Sequence, residues 1–250
     1  MDWDGTSYDR LSAPQARWGR AVVERLELRG DETALDAGCG TGRVTEELLA
    51  RVPRGRVIAL DASPSMLSRA QERLGPAVTE GRVSFVRGDL LDLSPALLGD
   101  VPPLDAVLST ATFHWVMDHD RLFSNIRSVL REGGQLVAQC GGKGNIDGVI
   151  GTVRSLGVER AGTWLYATPE DTAARLAKAG FKVLEVWCHP ELVSFPDRTA
   201  LADFLSTVCL REHLGTIPAP QRRPFAEQVA QAMPSPVIDY VRLNMVARAE

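Results

Sequence analysis

At 250 residues, 44% hydrophobic and 24% charged, the chain is long enough for one large domain or two small ones and should bury roughly 70 to 75% of its unfolded surface. A mean hydropathy of −0.07 excludes collagen-like, low-complexity and wholly disordered chains. The net charge of −4 supplies no basic face for nucleic acid, so a small-molecule partner is favoured.

The N-terminus carries Asp2, Asp4 and Asp9 and lacks the basic start and apolar core of a signal peptide. No apolar run nears the roughly 18 to 20 residues of a membrane span, so a cytoplasmic location without membrane attachment is the expectation. Residues 1–32 precede a region, 33–140, in which short apolar runs alternate with longer amphipathic ones. That alternation predicts a parallel sheet wrapped by helices, with strands at 33–36, 57–61, 83–86, 104–109 and 134–140. Between the first two strands, Val44, Leu48, Leu49 and Val52 recur at helical spacing until Pro53 and Gly55. Ser63 then fits an N-cap with Pro64 at the first helical position, and the helix runs on through Met66, Leu67, Ala70 and Leu74. Leu122, Ile126, Val129 and Leu130 make another helix, closed by Gly133 and Gly134.

Beyond Cys140, Gly141, Gly142 and Gly144 form a loop, a weak helical stretch covers 149–158, and Thr168-Pro169-Glu170 opens a helix that ends at Ala179-Gly180. A strand is expected at 182–190. Residues 194–235 read as helices broken by Pro218, Pro220, Pro224, Pro234 and Pro236, inserted before a final strand at 237–247. Cys39, Cys140, Cys188 and Cys209 are far apart and form no C-x-x-C pair, which favours buried free thiols over a zinc site or a disulfide framework. His114, His119, His189 and His213 form no ligand cluster either, so no metal is expected.

The most informative stretch is Leu35-Asp36-Ala37-Gly38-Cys39-Gly40-Thr41-Gly42-Arg43, where a strand runs through glycines into a helix. Glycines let the turn close and let a ligand lie on bare backbone, and the helix start presents unpaired N–H groups. A dinucleotide loop, G-x-G-x-x-G, needs its third glycine at position 43, and that residue is Arg43. This disfavours a nicotinamide-dependent oxidoreductase. Asp61 ends the second predicted strand, where a carboxylate can accept from both hydroxyls of a ribose or simply open the next helix.

The D-x-G-x-G-x-G spacing of Asp36, Gly38, Gly40 and Gly42 resembles motif I of the class I S-adenosylmethionine-dependent methyltransferases. The resemblance covers about 33–140. It implies an α/β, doubly wound, Rossmann-like sheet of seven mostly parallel strands with an antiparallel last strand and a helical cap. It also implies S-adenosylmethionine as cofactor, with Asp61 at the ribose and Gly88, Asp89 and Leu90 near the adenine. A narrower likeness lies in Asp61-Ala62-Ser63-Pro64-Ser65-Met66-Leu67, in Ser109-Thr110-Ala111-Thr112-Phe113-His114-Trp115 and in Tyr8. These are similar to the trans-aconitate methyltransferases, which act on small carboxylates, and to the malonyl-carrier-protein methyltransferases; Thr110 stands where the former commonly have Asn. The cofactor site implied is Asp36, Gly38, Cys39, Gly40, Gly42, Asp61, Ala62, Met66, Gly88, Asp89, Leu90, Thr110 and Trp115, with Tyr8 and Gln15 from an N-terminal flap.

The expected organisation is a single domain: a flap at 1–32, a cofactor-binding core at 33–140, the sixth strand and its helices at 141–193, a helical cap insertion at 194–235 and the last strand at 236–250. Its expected activity is methyl transfer to a small acid, with O-, N- or C-methylation of another metabolite, or cofactor binding without catalysis, as alternatives. A carboxylate acceptor is already ionised at neutral pH and needs no general base. For a hydroxyl or amine acceptor His114 is the candidate base; otherwise it packs or positions. Trp18, His114, Arg211 and His213 are the candidate acceptor-binding residues. The oligomeric state is left open.

Overall fold

The computed structural model describes residues 13–99, 101–158 and 163–250. Seven strands form one mixed sheet: β1 (Thr33–Ala37), β2 (Arg56–Asp61), β3 (Val83–Arg87), β4 (Leu104–Thr110), β5 (Leu130–Gly141), β6 (Phe181–Ser194) and β7 (Val237–Ala249). Their order is β3-β2-β1-β4-β5-β7-β6; β1 to β5 pair in parallel, and β7 runs antiparallel to both β5 and β6. The longer helices are α1 (Ala13–Val23), α2 (Arg43–Arg51), α3 (Pro64–Arg73), α4 (His119–Val129), α5 (Asp147–Ser155), α6 (Pro169–Lys178), α7 (Arg198–Phe204) and α8 (Ala219–Ala232).

Side chains along a strand alternate between its two faces, so each strand feeds two cores. Leu35, Ile58, Leu60 and Val107 join Phe113, Phe123 and Leu136 on one side. Ala34, Val57, Ala59 and Leu108 join Val22, Leu26 and Leu48 on the other. A third cluster gathers Trp18 of α1, Val149 and Val153 of α5, Leu201 and Phe204 of α7, Val229 of α8, and Ile238 and Tyr240 of β7. Helix starts follow the capping rule: the Ser63 hydroxyl accepts the Met66 N–H behind Pro64, and Thr168 accepts the Asp171 N–H behind Pro169.

Three expectations need correction. First, α4 closes at Val129, and β5 starts at Leu130 rather than at Gly134. The glycine pair serves an irregularity in the β4–β5 register, where a Cβ on Gly134 would approach the Leu104 carbonyl to 3.1 Å. Second, β6 runs through Pro190 to Ser194; β6 is an edge strand, where a missing N–H is tolerated. Third, Pro224 lies inside α8 without ending it, because early in the helix it removes one hydrogen bond and not a continuous ladder.

Candidate active site

Crossovers from β1 lead through β2 to β3 on one side, and the chain then returns to place β4 on the other edge of β1. Ligands bind in the crevice that such a reversal opens beyond the strand ends. Gly38 follows β1 on one wall of that crevice, and Thr112 follows β4 on the other. The loop between β1 and α2 turns on Gly38, Gly40 and Gly42, with φ of +86°, +54° and +77°. A Cβ on Gly38 would lie 2.3 Å from the Thr112 side chain, whereas one on Gly40 would meet nothing within 4 Å. Gly38 therefore lets the two walls touch, and Gly40 leaves its backbone open to the crevice.

The loop is tied to β2. Gly38 and Cys39 donate to the Leu60 carbonyl at 2.8 and 2.9 Å, and Gly40 donates to Asp61 Oδ2 at 2.8 Å. The other oxygen, Oδ1, accepts the Ser63 N–H at 2.9 Å, so Asp61 also fixes the entry to α3. After β3, Asp89 Oδ1 accepts the Leu91 N–H at 2.9 Å and holds the next wall.

These elements enclose a cavity of about 460 Å³, within the range of small-molecule sites. Of the candidate residues it collects Gly38, Gly40, Asp61, Ala62, Met66, Gly88, Asp89, Leu90, Thr110, Trp115 and Arg211 on its walls. Glu212, Thr163, Val116 and Met117, which the sequence did not single out, line it as well. Bare backbone on one side, carboxylates on two walls and apolar Met66, Leu90 and Val116 between them fit a cationic nucleoside-like molecule.

Asp36, Cys39 and Gly42 do not reach the wall. Asp36 is fully buried beneath the loop, where the Thr45 hydroxyl donates to its Oδ2 at 2.6 Å. Burial raises its pKa to about 7, against the Thr45 hydrogen bond and with help from the Asp61 charge. Cys39 is also buried, and burial pushes its thiol up. These residues brace the loop from below. Tyr8 and the side chain of Gln15 lie outside the described residues.

Behind Trp115 and Ala111 lies a second, smaller cavity of about 50 Å³. Ala111 adopts φ +57°, unusual for a residue with a Cβ, and its N–H donates to the Gln139 carbonyl at 2.7 Å. His114 and Trp18 belong to this cavity, with Asn145, Tyr166, Tyr240 and Arg242. His114 Nδ1 accepts the Gly141 N–H at 3.3 Å, which assigns the ring hydrogen to Nε2. Burial, then the Arg242 charge, lowers the His114 pKa to about 3, so the ring is neutral. His213 is buried against Trp164, a wall residue of this cavity, with ring centroids 5.7 Å apart. Among the described residues, no group of His, Cys, Asp or Glu is placed to hold a metal ion, and no helix is long and apolar enough to cross a membrane.

The family model of the methyltransferase domain matches residues 34–134, which carry the loop, Asp61, Asp89 and the β4 end. The chain is 30% identical to an uncharacterised methyltransferase of Schizosaccharomyces pombe over 72% of its own length and 71% of that protein. It is 31% identical to a trans-aconitate 2-methyltransferase of Streptomyces coelicolor, covering 86% of this chain and 73% of that one. A crystal structure of geranyl diphosphate C-methyltransferase from Streptomyces coelicolor, with S-adenosyl-L-homocysteine bound, shares the fold at a TM-score of 0.58 and 17% identity, over 97% of this chain and 80% of that one. Loop geometry, sheet order and relatives agree: the chain belongs to the class I methyltransferases, enzymes whose methyl donor is S-adenosylmethionine.

Proposed function

We propose that this enzyme methylates a small carboxylic acid, with S-adenosylmethionine in the larger cavity and the acceptor reaching it past Trp115. Gly38 and Gly40 offer backbone to the amino-acid end of the cofactor. Asp61, oriented by the Gly40 and Ser63 N–H groups and on the cavity wall, accepts from the ribose hydroxyls, and Gly88, Asp89 and Leu90 flank the adenine. The bound cofactor supplies a methyl group already activated on a sulfonium. The chain's task is then to orient the acceptor and exclude water, for which Trp115, Val116 and Met117 supply apolar lining.

The observation that carries the acceptor class is the state of His114. Its Nδ1 is engaged by a backbone N–H and its burial keeps it neutral with hydrogen on Nε2, so it offers a donor to the cavity and not a base. A site built this way suits an acceptor that is anionic before it arrives, and a carboxylate, with an ordinary pKa near 4, meets that condition. The relative named for trans-aconitate supports an acid as the acceptor.

With trans-aconitate or a related acid as acceptor, kcat is expected to be nearly flat from about pH 6 to 9, and His114→Gln, which keeps a donor, to retain most of it. Stopped assays across that range decide. A rate that climbs about tenfold per pH unit to a plateau near pH 7, and loses about 100-fold or more in His114→Gln, would move the assignment to hydroxyl or amine methylation with His114 as base.

A further inference from the structure

Glu212 reaches the larger cavity from the short helical turn Arg211–Leu214, within the predicted cap insertion. Its half-buried carboxylate is held in place: one oxygen, Oε2, accepts the Thr163 hydroxyl at 2.8 Å, and Thr163 lines the same cavity. The segment that carries Thr163 is in turn fixed to the wall that follows β4. Leu165 donates its N–H to the His114 carbonyl at 2.8 Å, and the Trp164 ring lies edge-on to Trp115, with centroids 6.2 Å apart, and against His213 at 5.7 Å. These ties put Glu212 at the β4 end of the cavity. Gly88 and Asp89 close the other end after β3, which lies three strand spacings from β4, about 14 Å.

On the methyl-transfer reading above the acceptor arrives past Trp115, so the methyl group and the sulfur that bears it face the end where Glu212 stands. Donor and product share the adenine, the ribose and the amino-acid end. They differ in the methyl group and in the positive charge on sulfur, which is lost because the departing methyl leaves its bonding electron pair behind. A neutral hydroxyl holds Glu212 without cancelling its charge, and Arg211 lines the same cavity beside it, so the sign of the field at this end turns on one carboxylate. We infer that Glu212 is the residue by which the enzyme tells its charged donor from its spent product: it attracts the sulfonium of S-adenosylmethionine and has no such hold on the thioether of S-adenosylhomocysteine. A cap residue thereby takes part in cofactor selection and eases product release. The assignment rests on the methyl-transfer reading and extends it to a carboxylate that no sequence motif marks.

Calorimetry with the two ligands tests this without turnover, because every contact they share cancels in the ratio of their affinities. Glu212→Gln, whose side-chain carbonyl can still accept from Thr163, should bind S-adenosylmethionine about tenfold more weakly than the wild type, the scale of one partly screened charge pair. Its affinity for S-adenosylhomocysteine should stay within about twofold, which also shows that the cavity is intact. Equal losses for both ligands would put Glu212 at the amino-acid end that they share and overturn the assignment, as would no loss for either. Should Glu212→Gln not fold, Thr163→Val, which releases the carboxylate, decides instead: a loss confined to S-adenosylmethionine supports the assignment, and an unchanged ratio overturns it. A wild-type protein that binds neither ligand would overturn the methyl-transfer reading itself.

Discussion

Asp36 and His114 are displaced from their ordinary pKa values in opposite directions, and each displacement sets a sign for stability against pH. Asp36 sits near 7 in the fold against about 4 in the unfolded chain, so between those values the native state holds a proton that the unfolded state has lost. Its contribution therefore falls as pH rises through that window. His114 sits near 3 in the fold against about 6.5 unfolded, so there the unfolded state holds the extra proton and stability rises with pH. From about pH 4 to 6.5 the two slopes oppose each other, each at most about 1.4 kcal/mol per pH unit. Asp36→Asn, which can still accept from Thr45, should expose a stability that climbs across this range. His114→Gln should expose one that declines. Urea unfolding of both variants at pH 4.5 and 6.5 checks this; parallel behaviour of wild type and both variants would mean that neither group is displaced as described.

At the scale of elements, what the sequence made legible is what local chemistry determines. The strands β1 to β4 follow from short apolar runs, and the loop follows from glycines whose positive φ no other residue adopts cheaply. Arg242 was not legible, because a strand reading Val237 to Ala249 with alternating polar positions looks half-solvated from sequence alone. The sheet order removes that ambiguity: β7 is interior, between β5 and β6, and residues 242–245 are buried on both faces. Nor could sequence separate Arg211 from His213. Both fall in the short helical turn Arg211–Leu214, where residues two apart point to opposite sides. Arg211 reaches the larger cavity and His213 turns into the core. Arg211→Ala should accordingly alter ligand binding with little loss of stability, within about 0.5 kcal/mol, whereas His213→Ala should cost more than that by leaving a cavity beside Trp164. Thermal unfolding of both variants compares them; equal stability losses would show that the turn does not divide the pair.

Across the whole molecule the charges are sorted by site. The larger cavity carries Asp61, Asp89 and Glu212 against Arg211, so its walls favour a cationic ligand, while the smaller one is dominated by Arg242. S-adenosylmethionine, with a sulfonium and an ammonium, matches the first field; a dinucleotide, whose pyrophosphate is doubly anionic, does not. The loop adds a geometric reason. The Gly40 amide that a phosphate would seek already donates to Asp61, and Arg43 occupies the position of the third dinucleotide glycine. Ligand binding stabilises the native state by about 2.7 kcal/mol at a hundred times Kd, which for a chain of this size raises Tm by roughly 5 to 10 °C. Thermal melts with S-adenosylmethionine and with S-adenosylhomocysteine should show that rise, and melts with NAD should show none. On the proposed seating of the ribose against Asp61, the rise should largely vanish in Asp61→Ala, because two hydrogen bonds at about 1.5 to 3 kcal/mol each would go together with the tie that holds the loop, a fall in affinity of about 100-fold or more. A folded Asp61→Ala protein that still gains the full rise would mean that the ribose lies elsewhere in the cavity, and a rise with NAD would mean that the sorting of charge does not select the cofactor.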